Sequence, residues 1–302
     1  MTKEKKFGFA AIVGKPNAGK STLLNTLIDY DLSITSNRPQ TTRNSIRGVL
    51  TKDDFQVVFI DTPGFIKRSD KKLDQHLYRN IHDNVNSVDT IIYIIDADVM
   101  VRRKTAEEEL MALEAFDDSI PVIIVMNKID LIKDKNLLLP VTSRISEEHP
   151  KRPIFYTSAL KGTEVENLLQ RIAETLPVSE FCFDADTLTD IPEKFLAGEF
   201  IREKVFRLTS QEIPYHSTVR VTGWEETPKI LKISAEILIS KESQKAILIG
   251  KGGEKIKEIG TSARKKLEAF FMSKVFLDLR VKVSKRWQED ESILRETSFL
   301  IE

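Results

Sequence analysis

One short segment combines glycine, lysine and serine at a spacing that can bind phosphate. Residues 14–21 read Gly-Lys-Pro-Asn-Ala-Gly-Lys-Ser, which fits the phosphate-loop pattern G-x-x-x-x-G-K-[S/T]. The glycines let backbone N–H groups converge on phosphate oxygens, and a helix that begins at the loop adds a positive dipole. The lysine reaches the terminal phosphates and the serine ligates Mg²⁺. The predicted phosphate-binding residues are Gly14, Lys15, Pro16, Asn17, Ala18, Gly19, Lys20, Ser21 and Thr22.

A second polar segment, Asp61-Thr62-Pro63-Gly64, follows the apolar run at residues 57–60. An aspartate in this position can hold Mg²⁺, for example through a water molecule. The glycine can offer its N–H to the γ-phosphate and so sense its hydrolysis. Taken alone the tetrapeptide is also an ordinary turn, but beside the phosphate loop it predicts the second anchor of the metal.

Two further segments select the base. Asn127-Lys128-Ile129-Asp130 follows the apolar run at residues 122–126, and Thr157-Ser158-Ala159 follows the run at residues 154–156. The aspartate carboxylate can accept hydrogen bonds from guanine N1–H and the 2-amino group, which adenine lacks, and a backbone N–H can meet guanine O6. The pattern predicts GTP over ATP; the predicted guanine-binding residues are Asn127, Lys128, Asp130, Thr157, Ser158 and Ala159.

A different kind of glycine loop lies in the second half of the chain. Residues 249–253 read Ile-Gly-Lys-Gly-Gly between two helix-like segments, and G-x-x-G at such a junction is typical of KH domains, which clamp about four nucleotides of RNA. Residues 229–286 carry 15 basic and 6 acidic side chains, a net charge of +9. Arg264, Lys265 and Lys266 extend the predicted basic surface. The predicted RNA-binding residues are Gly250, Lys251, Gly252, Gly253, Lys255 and Lys257.

The elements that must position these loops follow from hydrophobic patterning. Five continuous apolar runs, at residues 9–13, 57–60, 91–95, 122–126 and 154–156, alternate with helix-like stretches. This predicts an α/β domain with a mostly parallel sheet, whose ligands bind beyond the carboxyl ends of the strands. From residue 198 the order α-β-β-α-α-β predicts a smaller α+β domain. The predicted division is a nucleotide-binding domain at 1–176, a linker at 177–197 and an RNA-binding domain with a C-terminal tail at 198–302.

Composition excludes several other classes of protein. The 302 residues contain 46 basic and 46 acidic side chains, one cysteine and four histidines. One cysteine excludes an internal disulfide, and the scattered histidines form no spaced metal-ligand pair. No apolar stretch approaches the length of about 18 residues that a membrane span needs. We therefore expect a cytoplasmic protein.

In their order along the chain, these motifs resemble the translation-factor-like GTPases and, more narrowly, the Era family. The residues that carry the resemblance include the phosphate loop, Pro39-Gln40-Thr41-Thr42-Arg43, and the Asp-Thr-Pro-Gly, Asn-Lys-Ile-Asp and Thr-Ser-Ala segments. The second domain, which resembles a type II KH domain, extends the likeness over nearly the whole chain. The resemblance implies a P-loop GTPase domain followed by a KH domain, with hydrolysis of GTP to GDP and phosphate and Mg²⁺ as cofactor.

The resemblance also implies two switch segments. Switch I comprises Gln40, Thr41, Thr42, Arg43 and Asn44. Switch II comprises Asp61, Thr62, Pro63, Gly64 and Phe65. One of the two threonines closes onto Mg²⁺; Thr42 is favoured, and Thr41 stays open. The implied metal ligands are Ser21, Thr42 and Asp61.

The implied partners are GTP, GDP, small-subunit ribosomal RNA and the small ribosomal subunit. The family likeness names the RNA as the 3′ region of the small-subunit ribosomal RNA, and the process as assembly of that subunit. It further implies a monomer with weak contact at a membrane surface, so that part of the protein would lie peripherally at the inner face of the cell membrane.

Catalysis departs from that of the better-known small GTPases. Those carry a water-orienting glutamine after the glycine of switch II, whereas this chain has Phe65. GTPases similar to this one hold a K⁺ ion partly through an asparagine of the phosphate loop, here Asn17, and such a cation would stabilise developing charge. The alternative is that Asn17 only caps the loop. The predicted catalytic residues are Lys20 and Asn17.

Two other functions remain open from the residues alone. In the first, the chain is an RNA-binding module and GTP is only a structural ligand, which measurable turnover would exclude. In the second, it is a signalling GTPase at a membrane surface, since the basic second half could meet anionic lipid. No lipidation motif supports the second alternative, and binding to RNA compared with anionic liposomes would discriminate the two.

Overall fold

A computed structural model gives the fold of the chain. It describes residues 4–35, 44–63, 88–116, 119–209 and 212–297. The described residues divide into two compact units, the first ending at Asp190 and the second beginning at Ile191. Several predicted switch residues lie outside the described residues, namely Gln40, Thr41, Thr42, Arg43, Gly64 and Phe65.

The first unit is built around a six-stranded sheet in the order β2-β3-β1-β4-β5-β6. Its strands are β1 (Lys6–Val13), β2 (Ile46–Thr51), β3 (Phe55–Asp61), β4 (Thr90–Asp96), β5 (Val122–Asn127) and β6 (Ile154–Tyr156). All neighbours pair in parallel except β2 with β3. Every residue of β3 and β5 is buried, which explains the continuous apolar runs, since a parallel sheet is covered on both faces.

The described part of this unit contains five helices: α1 (Lys20–Leu27), α2 (Ala97–Arg103), α3 (Ala106–Glu114), α4 (Leu139–Glu148) and α5 (Val165–Thr175). In α5 the buried side chains Leu168, Leu169 and Ile172 recur at helical spacing, so this helix covers the sheet with one apolar face. The side chain of Asp96 caps α2 by accepting a hydrogen bond from the Val99 N–H. Strand β2 and helices α2 and α4 were not among the predicted elements.

The predicted linker at 177–197 is ordered in two different ways. Its first part lies against the first unit: the Phe7 N–H donates to the Pro177 carbonyl, and the Val49 N–H donates to the Leu188 carbonyl. Its last part is helical, because the helix expected from Gly198 begins five residues earlier, at Glu193. The last five residues of the predicted linker, 193–197, are therefore helical, and earlier residues of it form hydrogen bonds with β1 and β2.

The second unit contains α6 (Glu193–Leu208), β7 (Ser217–Glu226), β8 (Leu231–Ile239), α7 (Glu242–Ile249), α8 (Glu254–Phe271), β9 (Val275–Val283) and α9 (Glu291–Thr297). Strand β8 is central, antiparallel to β7 and parallel to β9. The predicted order α-β-β-α-α-β is confirmed, with α9 as an additional helix. The predicted fold class, a mostly parallel α/β domain followed by a small α+β domain, is confirmed as well.

Alternation along β8 shows which face of the small sheet is covered. Leu231, Ile233, Ala235 and Ile237 are buried, whereas Lys232 between them is exposed. One sheet face therefore forms the core of the unit, and the other meets solvent. Among the described residues, no helix is long and apolar enough to cross a membrane.

Candidate functional site

The phosphate loop, residues 14–21, follows β1 and leads into α1, at the carboxyl edge of the sheet. Gly19 has a φ of 105°, and a Cβ there would overlap the side-chain amide of Asn127. A Cβ at Gly14 would likewise overlap the carbonyl oxygen of Ile94. Only glycine fits these two positions, because the loop runs directly against its neighbours.

Lys20 lies inside the loop rather than in solvent. Its side chain is buried, and its Nζ donates to the carbonyl oxygens of Gly14 and Lys15 at 3.0 and 2.9 Å. Burial lowers the pKa of Lys20 to about 8, although the negative charge of Asp61 opposes this shift. The ammonium can exchange the two carbonyls for phosphate oxygens without leaving the loop.

Two hydroxyl groups converge on the carboxylate at the end of β3. Ser21 and Ser33 each donate to Oδ2 of Asp61 at 2.6 Å, and Asp61 is fully buried. Ser33 was not predicted, because nothing in the sequence near it suggests a site. The described residues contain no group of three or more His, Cys, Asp or Glu side chains that could hold a metal alone. Hydroxyl and carboxylate oxygens nevertheless suit Mg²⁺, which takes few protein ligands beside substrate phosphates.

The other described switch residues have structural contacts. The hydroxyl of Thr62 donates to the carbonyl of Ile12 at 2.8 Å, so it joins the end of β3 to β1. Asn44 is buried just before β2, and Pro63 follows Thr62 at the edge of the sheet. Thr62 therefore contributes to the site by fixing the position of Asp61 beside it.

Asn127 connects three segments of the predicted site. Its Nδ2 donates to the carbonyl of Ala18 at 2.9 Å, while its Oδ1 accepts from the Ala159 N–H at 2.9 Å and the Thr157 hydroxyl at 3.2 Å. The side chain is thus engaged within the protein. Its geometry gives Asn127 a positioning role between the phosphate loop and the 157–159 segment, and direct contact with guanine stays a prediction.

Lys128 and Asp130 line the opposite side of this region. Nζ of Lys128 lies 2.6 Å from both the Asn17 carbonyl oxygen and Oδ2 of Asp96, so Lys128 holds the outer part of the phosphate loop. The side chain of Asp130 is 13% exposed, and Nζ of Lys161 lies 4.0 Å from its Oδ2. Ser158 is buried, and its hydroxyl accepts from the Lys161 N–H. The segments predicted to bind phosphate and guanine therefore meet at one place.

Lys15 is the exception within the phosphate loop. Its Nζ lies 2.6 Å from Glu108 and 2.8 Å from Glu109, both on α3. The Lys15 side chain is therefore held by two carboxylates, while its place among the predicted phosphate-binding residues depends on the backbone of the loop.

The glycine loop of the second unit, residues 250–253, joins α7 to α8. Gly250, Gly252 and Gly253 have φ values of 74, 62 and 82°. A Cβ at Gly252 or Gly253 would meet nothing within 4 Å, and Lys251, which precedes them, is exposed. The loop therefore presents backbone and one cation to solvent, as close approach of an RNA phosphate requires.

A groove of about 410 Å³ lies between α8 and β9. Its lining includes Lys257, Arg264 and Phe276, and Phe276 is 57% exposed. Sequence reasoning did not identify Phe276, since an aromatic residue in a strand is ordinarily a core residue. Lys266 is a correction to the predicted basic surface, because its ammonium lies 2.7 Å from the buried carboxylate of Glu203.

Comparisons with known proteins agree with this division of the chain. Residues 9–128 match the family model described as 50S ribosome-binding GTPase, and residues 212–288 match the KH domain model. The chain is 42% identical to GTPase Era of Pseudomonas aeruginosa over 97% of this chain and 94% of that protein. It is 41% identical to GTPase Era of Coxiella burnetii, covering 97% of each chain.

Two solved structures are similar over the full length. A crystal structure of Era in complex with MgGDPNP and nucleotides 1506–1542 of 16S ribosomal RNA has a TM-score of 0.89 and 36% identity. A variant of Era from Aquifex aeolicus bound to GDP and AlF4⁻ has a TM-score of 0.86 and 36% identity. Each similarity covers 97% of this chain and 98% of the other chain.

Proposed function

Because the chain belongs to the Era family of GTPases, we propose that it is a switch that hydrolyses GTP in its first unit and binds single-stranded RNA with its second. The proposed RNA is the 3′ region of small-subunit ribosomal RNA, and the proposed process is assembly of the small ribosomal subunit. The conjunction of a phosphate loop enclosing a buried lysine with an exposed, basic glycine loop carries the proposal.

In the proposed GTP site, each segment has its own task. The phosphate loop binds the phosphates through its N–H groups and Lys20, whose position inside the loop supports this role. Asp130 accepts the hydrogen bonds of the guanine N1–H and 2-amino groups. Asn127 keeps the base pocket and the phosphate loop at a fixed separation through its contacts with Ala18 and Ala159. Such a site rejects a base that lacks the two donors.

Ser21 and Asp61 would hold Mg²⁺, and their oxygens, which already meet at 2.6 Å, support that role. Bound Mg²⁺ neutralises charge on the phosphates during transfer. Thr42 stays the predicted third ligand. The buried position of Asp61, fixed by Thr62 and the serine hydroxyls, keeps the carboxylate directed toward Ser21.

K⁺ is the proposed second cation, with Asn17 as one of its ligands. Asn17 is exposed with a φ of 65°, and its carbonyl accepts the Lys128 ammonium. The exposed position of Asn17 within the phosphate loop supports this role. The alternative role for Asn17, as a cap of the loop, predicts no dependence of turnover on K⁺.

RNA is favoured over membrane lipid as the partner of the second unit. A lipid surface needs charge alone, whereas the glycine loop offers open backbone at Gly252 and Gly253. A groove whose lining includes Lys257, Arg264 and Phe276 belongs to the same unit. These features suit a phosphate backbone with adjoining bases. We place the protein in the cytoplasm as a monomer, with at most weak contact at the inner face of the membrane.

Two lysine variants of equal charge change test the RNA proposal. Lys251→Asp adds repulsion at the glycine loop, whereas Lys232→Asp adds the same repulsion on the solvent face of β8. We expect Lys251→Asp to lower affinity for a single-stranded RNA from the small-subunit 3′ end at least about tenfold, and Lys232→Asp to lower it far less. GTP turnover should persist in both.

Equal losses in the two variants would show that only overall charge matters. Tighter binding of the wild-type chain to anionic liposomes than to this RNA would instead favour the membrane-surface function. Repeated turnover of GTP by the wild-type chain would exclude a merely structural nucleotide.

A further inference from the structure

We propose that Glu109 is a positioning residue of the phosphate loop, which it fixes by holding the Lys15 ammonium outside the phosphate cradle. This inference rests on the proposed function, because it takes residues 14–21 as the loop that binds the nucleotide phosphates. No step of GTP hydrolysis requires a carboxylate on α3, so the contact has a different purpose.

The two carboxylates that meet Lys15 are unequal. The Glu109 side chain is only 6% exposed, whereas that of Glu108 is 65% exposed. An ion pair with an exposed partner contributes little, but a shielded pair is screened less by water and salt. Although burial opposes the charge, the hydrogen bonds to Glu108 and Glu109 raise the pKa of Lys15. Glu109 is therefore the firmer of the two anchors.

A buried tyrosine fixes Glu109 from behind. The Tyr93 hydroxyl donates to Oε2 of Glu109 at 2.7 Å, while Oε1 accepts from Lys15 at 2.8 Å. Burial raises the pKa of Tyr93, so the phenol keeps its proton and remains a donor. A buried carboxylate is tolerated when its oxygens are paired, and here the two oxygens face different elements.

This chain of contacts returns to the strand beside the loop. Tyr93 lies on β4 opposite Val13, the residue that precedes the loop. The loop is therefore joined to β4 twice, through the pairing at Val13 and through Lys15, Glu109 and Tyr93. Fixing Lys15 also fixes its carbonyl, which accepts the Lys20 ammonium at 2.9 Å.

The expected consequence is tighter nucleotide binding without faster chemistry. A loop that is ordered before binding loses less conformational freedom when the phosphates arrive. GTP and GDP share the phosphates nearest the loop, so the affinity for both nucleotides should increase to a similar degree. Turnover at saturating GTP should depend little on Glu109.

The first test replaces charge while keeping shape. Glu109→Gln retains an oxygen for Tyr93 but removes the ion pair, and Glu108→Gln with Glu109→Gln removes the second partner too. We expect the double variant to bind GTP and GDP about tenfold more weakly, with kcat unchanged and KM raised. The single variant should lose somewhat less. Glu107→Gln is the matched control, since Glu107 lies on the same helix but pairs with Arg144.

A double-mutant cycle then asks whether Glu109 acts through Lys15. Lys15→Met should weaken nucleotide binding to a similar degree, and adding Glu109→Gln to it should cost little more. Because the Lys15 side chain is 38% exposed, we expect Lys15→Met to fold. This variant therefore tests the contact between Lys15 and Glu109 even if a Glu109 variant unfolds. Tyr93→Phe should give a smaller loss in the same direction.

Wild-type affinity in the folded Glu108→Gln, Glu109→Gln variant would overturn the proposal. So would fully additive losses, since they would give Glu109 a merely structural role. Lys20→Met in the same assay distinguishes a wrong phosphate-loop assignment from a wrong role for Glu109. Retained nucleotide affinity in Lys20→Met would refute the phosphate loop itself. Lost affinity in Lys20→Met, together with wild-type affinity in the Glu109 variants, would refute only the role of Glu109.

Discussion

Two lysines in this chain are offered to phosphate in opposite ways. Lys20 in the first unit is 6% exposed and rests on two carbonyl oxygens inside its loop. Lys251 in the second unit is exposed and precedes Gly252 and Gly253, where a Cβ would meet nothing within 4 Å. The first loop is held by the side chains of Asn127, Lys128 and the Glu108–Glu109 pair. In the second loop, the Gly253 N–H donates to the Gly250 carbonyl.

The difference teaches how each loop obtains its affinity. A small ligand with few contacts gains from a site that is fixed before it binds. A polymer brings many phosphates, so that each contact can be weak and solvated. A loop that side chains fix in place therefore suits a nucleotide, and a loop that is exposed to solvent suits an RNA strand.

The largest expected effect comes from adding a methyl group to each loop. Gly19→Ala should weaken GTP binding at least about 100-fold, because φ is 105° and the new Cβ would overlap the Asn127 amide, so the backbone must move. The new methyl group of Gly252→Ala meets nothing within 4 Å in the protein. This variant should cost about 1 kcal/mol of unfolding free energy, and it should lower RNA affinity far less than Gly19→Ala lowers GTP affinity. Nucleotide titration, RNA titration and chemical denaturation measure these effects. Comparable losses at both glycines would abolish the contrast between the loops.

The next largest effect concerns base choice. Asp130→Asn should weaken GTP binding roughly 100-fold, since two hydrogen bonds to a carboxylate are lost, and should shift preference toward xanthosine triphosphate. Asn presents a donor where guanine has donors, whereas xanthine has a carbonyl in place of the 2-amino group. Asp134→Asn, four residues later and exposed, is the matched control. Unchanged GTP affinity in Asp130→Asn would remove this residue from the base pocket.

A smaller effect follows from the buried charge. The pKa of Lys20 is about 8 without nucleotide, and phosphate favours its ammonium form. Above about pH 8 binding must therefore take up a proton, so GTP affinity should fall by up to about tenfold per pH unit. Titrations between about pH 7 and about pH 9 measure the slope. Lys20→Arg, which stays charged throughout, should lack the part of the slope that Lys20 causes; an equal slope in both chains would assign the titration elsewhere.

The smallest predicted effect concerns Asn17, an exposed residue of the first loop. Turnover should be several-fold faster in KCl than in NaCl at equal ionic strength, and Asn17→Ala should reduce that difference. The motivation is Phe65, which stands where other GTPases carry a water-orienting glutamine. Equal rates in the two salts would leave Asn17 as a cap of the loop.

The sequence was informative where burial or backbone geometry leaves a local pattern. Strands covered on both faces have continuous apolar runs, such as residues 122–126 of β5. Strand β2 lies at the sheet edge and contains Arg47 and Gly48, so it lacked such a run. Helix α4 carries Pro140 near its start, which its sequence pattern does not distinguish from a turn, although proline is tolerated in a first turn.

The site shows the same limit at the level of side chains. Motifs identified the loops that meet, but contacts between distant segments have no local signature. Ser33 reaches Asp61 across 28 positions of the chain, and Glu109 sits in an acidic run that resembles a solvated helix face. Asn127 is predicted to bind guanine, and the contacts by which it joins Ala18 to Ala159 have no signature in its local sequence.

The central claim is that nucleotide and RNA bind to different units by different kinds of loop. Sequencing the RNA that copurifies with wild-type, Lys20→Met and Lys251→Asp chains tests it most directly, with GTP binding measured on the same preparations. We predict enrichment of the small-subunit 3′ region on the wild-type and Lys20→Met chains and its loss on Lys251→Asp, which should still bind GTP. Enrichment of unrelated RNA on the wild type, or unchanged enrichment on folded Lys251→Asp, would contradict the account.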